Sequence, residues 1–216
     1  MRVVITGTSK GIGLATACKF LQNGHEVIGI DIEGPTIDHE SYQHHIVSVS
    51  DLIHLPTIND VDILINNAGV QYEPMNISVN LYGVINCCEL YALQPNIKSV
   101  VTVASVSAHN GAEFPLYTAS KGGVLAYTKW LAQEIAVYGA TANSISPGGV
   151  ITPMTADIWE DEDKRAAVLN ETLLNKWATS AEIADWIYFV AVVNKSMTAQ
   201  DIIIDNGETA KYNFIQ

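Results

Sequence analysis

The chain has 216 residues, 48% hydrophobic and 16% charged, with 23 acidic side chains against 11 basic ones and a formal net charge of −12. That is the size and balance of one globular α/β domain, residues 1–216, with a full core and no disordered or low-complexity linker. The acidic surplus argues against a nucleic-acid or anionic-membrane surface, and no run approaches the length of a transmembrane helix. Cys18, Cys87 and Cys88 fall in helical patterns without CxxC spacing, so neither a disulfide framework nor a zinc site is expected. A reducing cytoplasm is the simplest compartment. The apolar residues 2–6 run straight into Gly7, which is not the pattern of a signal peptide.

Arg2 to Thr6 reads as a short buried strand. TGTSKGIG follows at residues 6–13, then a helical pattern through Leu14, Ala17, Cys18 and Leu21 that Asn23-Gly24 ends. His25 to Asp31 is a second strand. Strand, glycine turn, helix and strand with a terminal carboxylate is the pattern of a dinucleotide-binding unit, although the spacing is GxxxGxG and not GxGxxG. Gly7 allows the tight turn, Gly11 lets backbone approach a pyrophosphate, and Gly13 permits close packing of helix on strand. Ser9, Lys10 and Ile12 complete the loop, and the helix N-terminus faces the anion. Asp31, eighteen residues beyond Gly13, suits the adenosine ribose hydroxyls. Its charge repels a 2′-phosphate and favours NAD over NADP, while Lys10 is the cation that pulls the other way.

His45 to Val49 is the expected third strand. Asp51 after it either accepts from an adenine amino group or caps a short following helix. His39, His44, His45 and His54 lack metal-ligand spacing and read as surface residues, so no metal is expected. Val61 to Ile65 is a buried strand ending in Asn66, Asn67, Ala68 and Gly69, small residues at a strand end where open α/β sheets bind ligands. Ile77 to Leu93 is helical by period, with the polar Asn80 inside it needing a partner.

Ser99 to Ala104 is a β-type run that ends at Ser105. Pro115 opens the next helix, which runs on to Tyr138 before Gly139. Tyr117 and Lys121, four apart, share one face of that helix. A loop back from the strand end brings the Ser105 hydroxyl to the phenol. A free tyrosine, with a pKa of about 10, is a poor proton carrier near neutrality. A neighbouring cation favours the phenolate, and a drop of ~3 units corresponds to roughly 4 kcal/mol. The trio therefore reads as a proton-transfer site. Gly122-Gly123 suits close approach by another backbone, such as a second subunit. Thr141 to Ser146 is another strand, closed by Pro147, Gly148, Gly149, Val150, Ile151, Thr152 and Pro153. Backbone groups of Val150 or Ile151 and the Thr152 hydroxyl are placed to meet a nicotinamide amide. Residues 153–178, charged and partly helical, form a candidate substrate lid. An amphipathic helix from an N-capping Ser180 to Val193 and a last strand, Asp201 to Asp205, complete the chain, and Asn206-Gly207 makes a turn.

The assembled order resembles the short-chain dehydrogenase/reductase family from Val3 to Gly207. The matching pieces are TGTSKGIG, Asp31, Asp51, NNAG at 66–69, Asn80, Ser105, YTASK at 117–121, PGGVIT at 147–152 and the closing IIIDNG. The resemblance implies a single Rossmann-type, doubly wound parallel sheet with helices on both faces. It implies an NAD(P)-dependent oxidoreductase that interconverts a secondary alcohol and a ketone. Tyr117 would be the general acid/base, Lys121 would lower its pKa and bind the nicotinamide ribose, Ser105 would hold the substrate oxygen, and Asn80 would hold a water linking Lys121 to solvent. The four-residue Tyr–Lys spacing looks like the carbonyl/alcohol branch, whose substrates include 3-oxoacyl thioesters, steroids and sugars. A homodimer or homotetramer through helices 77–93 and 116–138 is implied. The chain departs from the pattern in having only eleven residues from Gly69 to Asn80, a compressed stretch 32–60, and Asn206 where glycine is usual. Two other classes compete. A nucleotide-sensing binding protein without turnover would bind cofactor but lack activity, and a structural module would bind none.

Overall fold

The computed structural model describes residues 1–71, 74–112 and 114–212. Seven parallel strands make the central sheet: β1 (Arg2–Thr6), β2 (Glu26–Asp31), β3 (Tyr42–Ile46), β4 (Ile63–Asn66), β5 (Ser99–Val103), β6 (Thr141–Pro147) and, at the far edge, β9 (Asp201–Ile204). Their spatial order is β3-β2-β1-β4-β5-β6-β9, so the direction of winding reverses between β1 and β4. The crevice at the carboxyl ends of those two strands is where such sheets receive ligands. Two short strands, β7 (Val150–Ile151) and β8 (Ala178–Thr179), pair separately.

The sheet is buried on both faces because its strands are apolar in both phases of the pleat. Val4, Leu64 and Val100 face one way and join Cys88, Tyr91 and Leu131. Val3, Ile5, Ile63, Ile65 and Val101 face the other way and join Phe20, Ile183 and Ile187. The first face is covered by α2 (Gly83–Tyr91) and α4 (Pro115–Glu134), the second by α1 (Gly11–Gln22) and α7 (Ser180–Tyr188). Cys87 and Cys88 are buried under α2, and burial pushes the Cys88 thiol up to about 12, so both serve as packing groups. Three shorter helices lie near the carboxyl edge: α3 (Ser107–Asn110), α5 (Ala156–Trp159) and α6 (Glu162–Leu169). Among the described residues no helix is long and apolar enough to cross a membrane.

Three expectations need correction. The third strand begins at Tyr42, three residues early, because its partner β2 ends at Asp31, which registers with Ile46. After Ile46 the Val47 amide still donates to the Asp31 carbonyl at 2.8 Å, but β2 ends there and Val49 packs into the core. The segment after Asp51 forms turns and not a helix, and Asp51 accepts from His54 Nδ1 at 2.8 Å. The N-cap of α7 is Thr179, not Ser180, because Glu182 stands three residues after Thr179 and closes a capping box. Within the chain, the Gly122-Gly123 pair faces a side chain and open space. A Cβ on Gly123 would lie 2.9 Å from Leu81 Cδ2, and one on Gly122 would meet nothing within 4 Å.

The compression of 32–60 has a structural counterpart. The connection from β2 to β3 carries no helix, and Ile32 and Ile46 are about two-thirds exposed, at 67% and 65%. The expected 77–93 helix is present but begins as a π-helix, Ile77–Tyr82, which holds Asn80. Wide turns of this kind often mark functional positions.

Gly13 and Gly122 should respond oppositely to alanine. A Cβ on Gly13 would lie 1.9 Å from the Gly7 carbonyl oxygen, so Gly13→Ala should lower the melting temperature sharply or prevent folding. Gly122→Ala adds a methyl to open space in a helix and should raise the melting temperature by about 2–4 °C, corresponding to roughly 1 kcal/mol. A fall for Gly122→Ala would show that a second copy covers that position.

Candidate active site

Three loops converge at the switch point, and side chains rather than helices fasten them. The glycine loop turns at Gly7 (φ +76°), which lets Gly13 lie against its carbonyl. Thr6, at the end of β1, accepts hydrogen bonds at Oγ1 from the backbone amides of Asn67 and Ala68, both at 3.0 Å. The Asn67 side-chain Nδ2 donates back to the carbonyls of Thr6 (3.0 Å) and Gly7 (3.2 Å). The NNAG turn and the glycine loop thus form one unit. Asp31 closes the third side: Oδ2 accepts from the Ser9 amide at 2.9 Å and Oδ1 from the Glu33 amide at 3.0 Å. Thr152 comes down on the loop from the other direction, with its methyl 3.6 Å from where a Gly11 Cβ would be.

The N-terminus of α1 is open in the sense that matters for an anion. Its N-cap residue, Lys10, makes no side-chain capping bond, so the first-turn amides have no side-chain acceptor from that residue. Amides at a helix N-terminus, together with the macrodipole, suit a pyrophosphate. Lys10 itself turns aside to Glu33, Nζ to Oε1 2.5 Å. The residues present therefore fit a dinucleotide. Beside this loop lies a shallow cleft of about 480 Å³ lined by Gly11, Leu14, Ala15, Ile151, Pro153 and Thr179. Asp51 lies after the end of β3, beyond the glycine loop's contacts described above, and is engaged with His54.

Across the crevice, α4 starts on Pro115, which occupies a first-turn position where no intrahelical donor is needed. It carries Tyr117 and Lys121 on one face. Lys121 is 5% exposed, and its Nζ donates to the Val103 carbonyl at 2.8 Å and lies 5.7 Å from the centre of the Tyr117 ring. Val103 is two residues before Ser105, so this bond ties α4 to the segment that carries the serine. Ser105 is buried, and its Oγ accepts from the Ser107 amide at 3.2 Å as α3 begins. A Cβ on Gly69 would lie 3.6 Å from Lys121 Nζ and 3.3 Å from Asn80 Oδ1, so the NNAG turn reaches the lysine as well.

Asn80 is buried and fully occupied. Its Oδ1 accepts from the Val70 amide at 2.8 Å, and its Nδ2 donates to the Val70 carbonyl at 2.8 Å and to Ser120 Oγ at 3.1 Å. Ser120 in turn donates to the Tyr117 carbonyl at 2.6 Å. Sequence reasoning missed Thr6, Val70 and Ser120. Thr6 ends a buried strand beside a glycine turn, and Ser120 lies between the tyrosine and the lysine on one helix turn, so both had a positional signal.

The PGGVIT segment rests on a C-terminal loop. Gly148 donates to the Ile204 carbonyl at 3.1 Å, and Gly149 to Glu208 Oε2 at 3.3 Å. Asp205 organises that loop, accepting from the Gly207 amide (2.9 Å) and from the Thr209 amide (2.7 Å) and hydroxyl (2.6 Å). Val150 has its carbonyl taken by Thr155 Oγ1 at 2.8 Å, and Ile151, paired with Thr179, accepts at its carbonyl from Ser180 Oγ at 3.3 Å. Asn206 adopts φ +54°, a left-handed conformation that asparagine tolerates better than most residues and that explains its place where glycine is usual.

The comparisons with known proteins agree with this geometry. A protein-family model described as "Enoyl-(Acyl carrier protein) reductase" matches residues 54–209. A 3-oxoacyl-[acyl-carrier-protein] reductase of Thermotoga maritima is 30% identical, covering 94% of this chain and 96% of that protein. The chain belongs to the short-chain dehydrogenase/reductase family. Among solved structures, a 2-deoxy-D-gluconate 3-dehydrogenase candidate from Agrobacterium tumefaciens with bound NADP shares 26% identity at a TM-score of 0.86, covering 97% of this chain and 96% of that one. A 4-hydroxyisoleucine dehydrogenase complexed with NADH shares 26% at 0.83, covering 98% and 99%. This dehydrogenase/reductase is an NAD(P)-dependent oxidoreductase acting on CH–OH or C=O groups, with the Rossmann-type sheet the motifs implied.

Asp205 makes the site acid-sensitive in a defined direction. Burial pushes its carboxyl up, but hydrogen bonds from Thr209 and Gly207 outweigh that and hold it below the usual carboxylate range. A lowered folded-state pKa adds stability that is complete above the unfolded value, near pH 4, and is lost as pH falls toward the folded one. Chemical denaturation from pH 6 to pH 3 should therefore show a steeper loss in the wild type than in Asp205→Asn. Parallel pH dependences would remove Asp205 from this role.

Proposed function

We propose that this dehydrogenase/reductase reduces a small ketone, or oxidises the corresponding secondary alcohol, with Tyr117 as the general acid/base. The observation that carries the reading is the burial of Lys121 beside the Tyr117 ring on a helix tied to the Ser105 segment. A buried ammonium next to a phenol favours the phenolate and so brings proton transfer toward neutral pH. Bound NAD(P)H supplies the hydride that reaches the carbonyl carbon. Tyr117 gives its phenolic proton to the carbonyl oxygen, whose π electrons form the new alkoxide–proton bond. Lys121 stabilises the phenolate left behind, and Ser105 donates to the same substrate oxygen. In the alcohol direction each transfer reverses. Asn80 holds the turn that follows Gly69 against α4, and a water near it would restore the Tyr117 proton from solvent.

The glycine loop (Gly7, Ser9, Lys10, Gly11, Ile12, Gly13), the turn Asn67-Ala68-Gly69 and the segment Pro147, Gly148, Val150 and Thr152 are read as the dinucleotide contacts, with Asp51 toward the adenine. Asp31 is read as the ribose ligand that makes NAD the preferred cofactor, since a carboxylate there repels a 2′-phosphate. We read residues 1–216 as one domain. Residues 153–178, which carry α5 and α6, serve as its substrate lid, and Arg165 Nη1 donating to the Trp159 carbonyl at 2.9 Å helps it fold as a unit. A net charge of −12 disfavours an acidic carrier protein as substrate and favours a small free carbonyl compound. The reading also takes the enzyme as a homodimer or homotetramer in a reducing cytoplasm, where the free Cys18, Cys87 and Cys88 are at ease.

A panel of ketones, keto sugars and 3-oxoacyl thioesters, followed by loss of NADH absorbance, tests the chemistry. Tyr117→Phe should lower kcat by at least about 10²-fold while leaving NADH affinity within a factor of about two. Turnover that survives the substitution would remove Tyr117 as the proton donor. Cofactor binding without turnover across the panel would favour the nucleotide-sensing alternative.

A further inference from the structure

The Lys10–Glu33 pair bears on which cofactor the enzyme accepts. Lys10 is the cation that the glycine loop offers to a 2′-phosphate, and Glu33 holds it at 2.5 Å. The position of Glu33 is set by its surroundings. Its amide donates to Asp31 Oδ1 at 3.0 Å, and its carbonyl faces His44 Nε2 at 2.8 Å. The strap continues over the glycine loop: Ser9 Oγ donates to the Gly34 carbonyl at 2.9 Å, and Thr36 Oγ1 donates to the Ser9 carbonyl at 3.0 Å. No helix follows β2, so this short strap, and not a helix N-terminus, closes the ribose end of the site.

We infer that Glu33 is a second specificity-determining residue, which enforces NAD by occupying Lys10, the cation a 2′-phosphate would seek. The inference rests on the NAD preference proposed above and adds a residue to it. Asp31 already spends one lone pair on each oxygen holding Ser9 and Glu33, so it organises the strap as well as repelling the phosphate. An anion drawn to Lys10 lies beside the carboxylate that already holds it. The pair is half exposed, so as a salt bridge it contributes little to folding. Its effect on a ligand is different in kind, because a phosphate carries close to two charges and meets both members at once.

The test uses adenosine 2′,5′-bisphosphate and 5′-AMP as nicotinamide-free probes, titrated calorimetrically alongside NADPH and NADH. Glu33→Gln should tighten the bisphosphate and NADPH by about tenfold and leave 5′-AMP and NADH within about twofold. Adding Lys10→Ala should cancel the gain. The inference is overturned if Glu33→Gln leaves the bisphosphate unchanged, or tightens both nucleotides equally, or if the gain persists without Lys10. The wild type reports on the parent reading separately: preference for NADPH over NADH there would refute the NAD assignment, whatever the variants do. Glu33 is exposed, and a matching melting temperature checks that each variant folds.

Discussion

The site depends on one buried amide. Asn80 bonds both polar backbone groups of Val70, as a neighbouring strand would, and then reaches Ser120 on α4. These bonds join the turn after NNAG, the π-helix and α4. A buried carboxamide left without partners would cost about 1–3 kcal/mol. Here each of its groups is used, so the same polarity that would penalise a core position instead fixes three segments. The π-helix fits this requirement: one wide turn re-aims Asn80 without breaking the helix that continues as α2.

Charge is handled in the same way. Lys121 is almost fully buried, a placement that needs strong compensation. The Val103 carbonyl gives part of it, and the lysine is thereby held at the end of β5 beside the Tyr117 ring. At the other end of the crevice the carboxylates of Asp31 and Glu33 are spent on backbone and on Lys10. Each functional charge therefore doubles as a brace for a loop. That economy suits a chain whose β2–β3 connection has no helix to do the bracing.

Much of this was legible in the sequence, for physical reasons. Continuous apolar runs mark strands buried on both faces, and GxxxGxG after β1 marks a turn in which only glycine lets helix and carbonyl meet. The i,i+4 relation of Tyr117 and Lys121 follows from helix geometry alone. What was not legible is informative. The third strand was misplaced because the apolar residues Ile46, Val47 and Val49 stand out against the polar stretch Gln43 to His45, whereas pairing is limited by where β2 ends. The α7 cap was displaced by one residue because Ser180 looks as good as Thr179 until Glu182 is counted. The partners of Asn80 were hidden because they are backbone groups of Val70, which have no sequence signature. The pairing of Lys10 with Glu33 was likewise a tertiary fact, since nothing in the two segments fixes their approach except the strap that joins them.

The role of Asn80 is tested most directly by amide hydrogen exchange at Val70, measured in the wild type and in Asn80→Ala. The Val70 amide should be strongly protected in the wild type and should exchange at least about tenfold faster in the variant, with core amides of β4 such as Ile65 much less affected. Rapid exchange at Val70 in the wild type, or equal protection in both proteins, would contradict the claim that this one amide holds the site together.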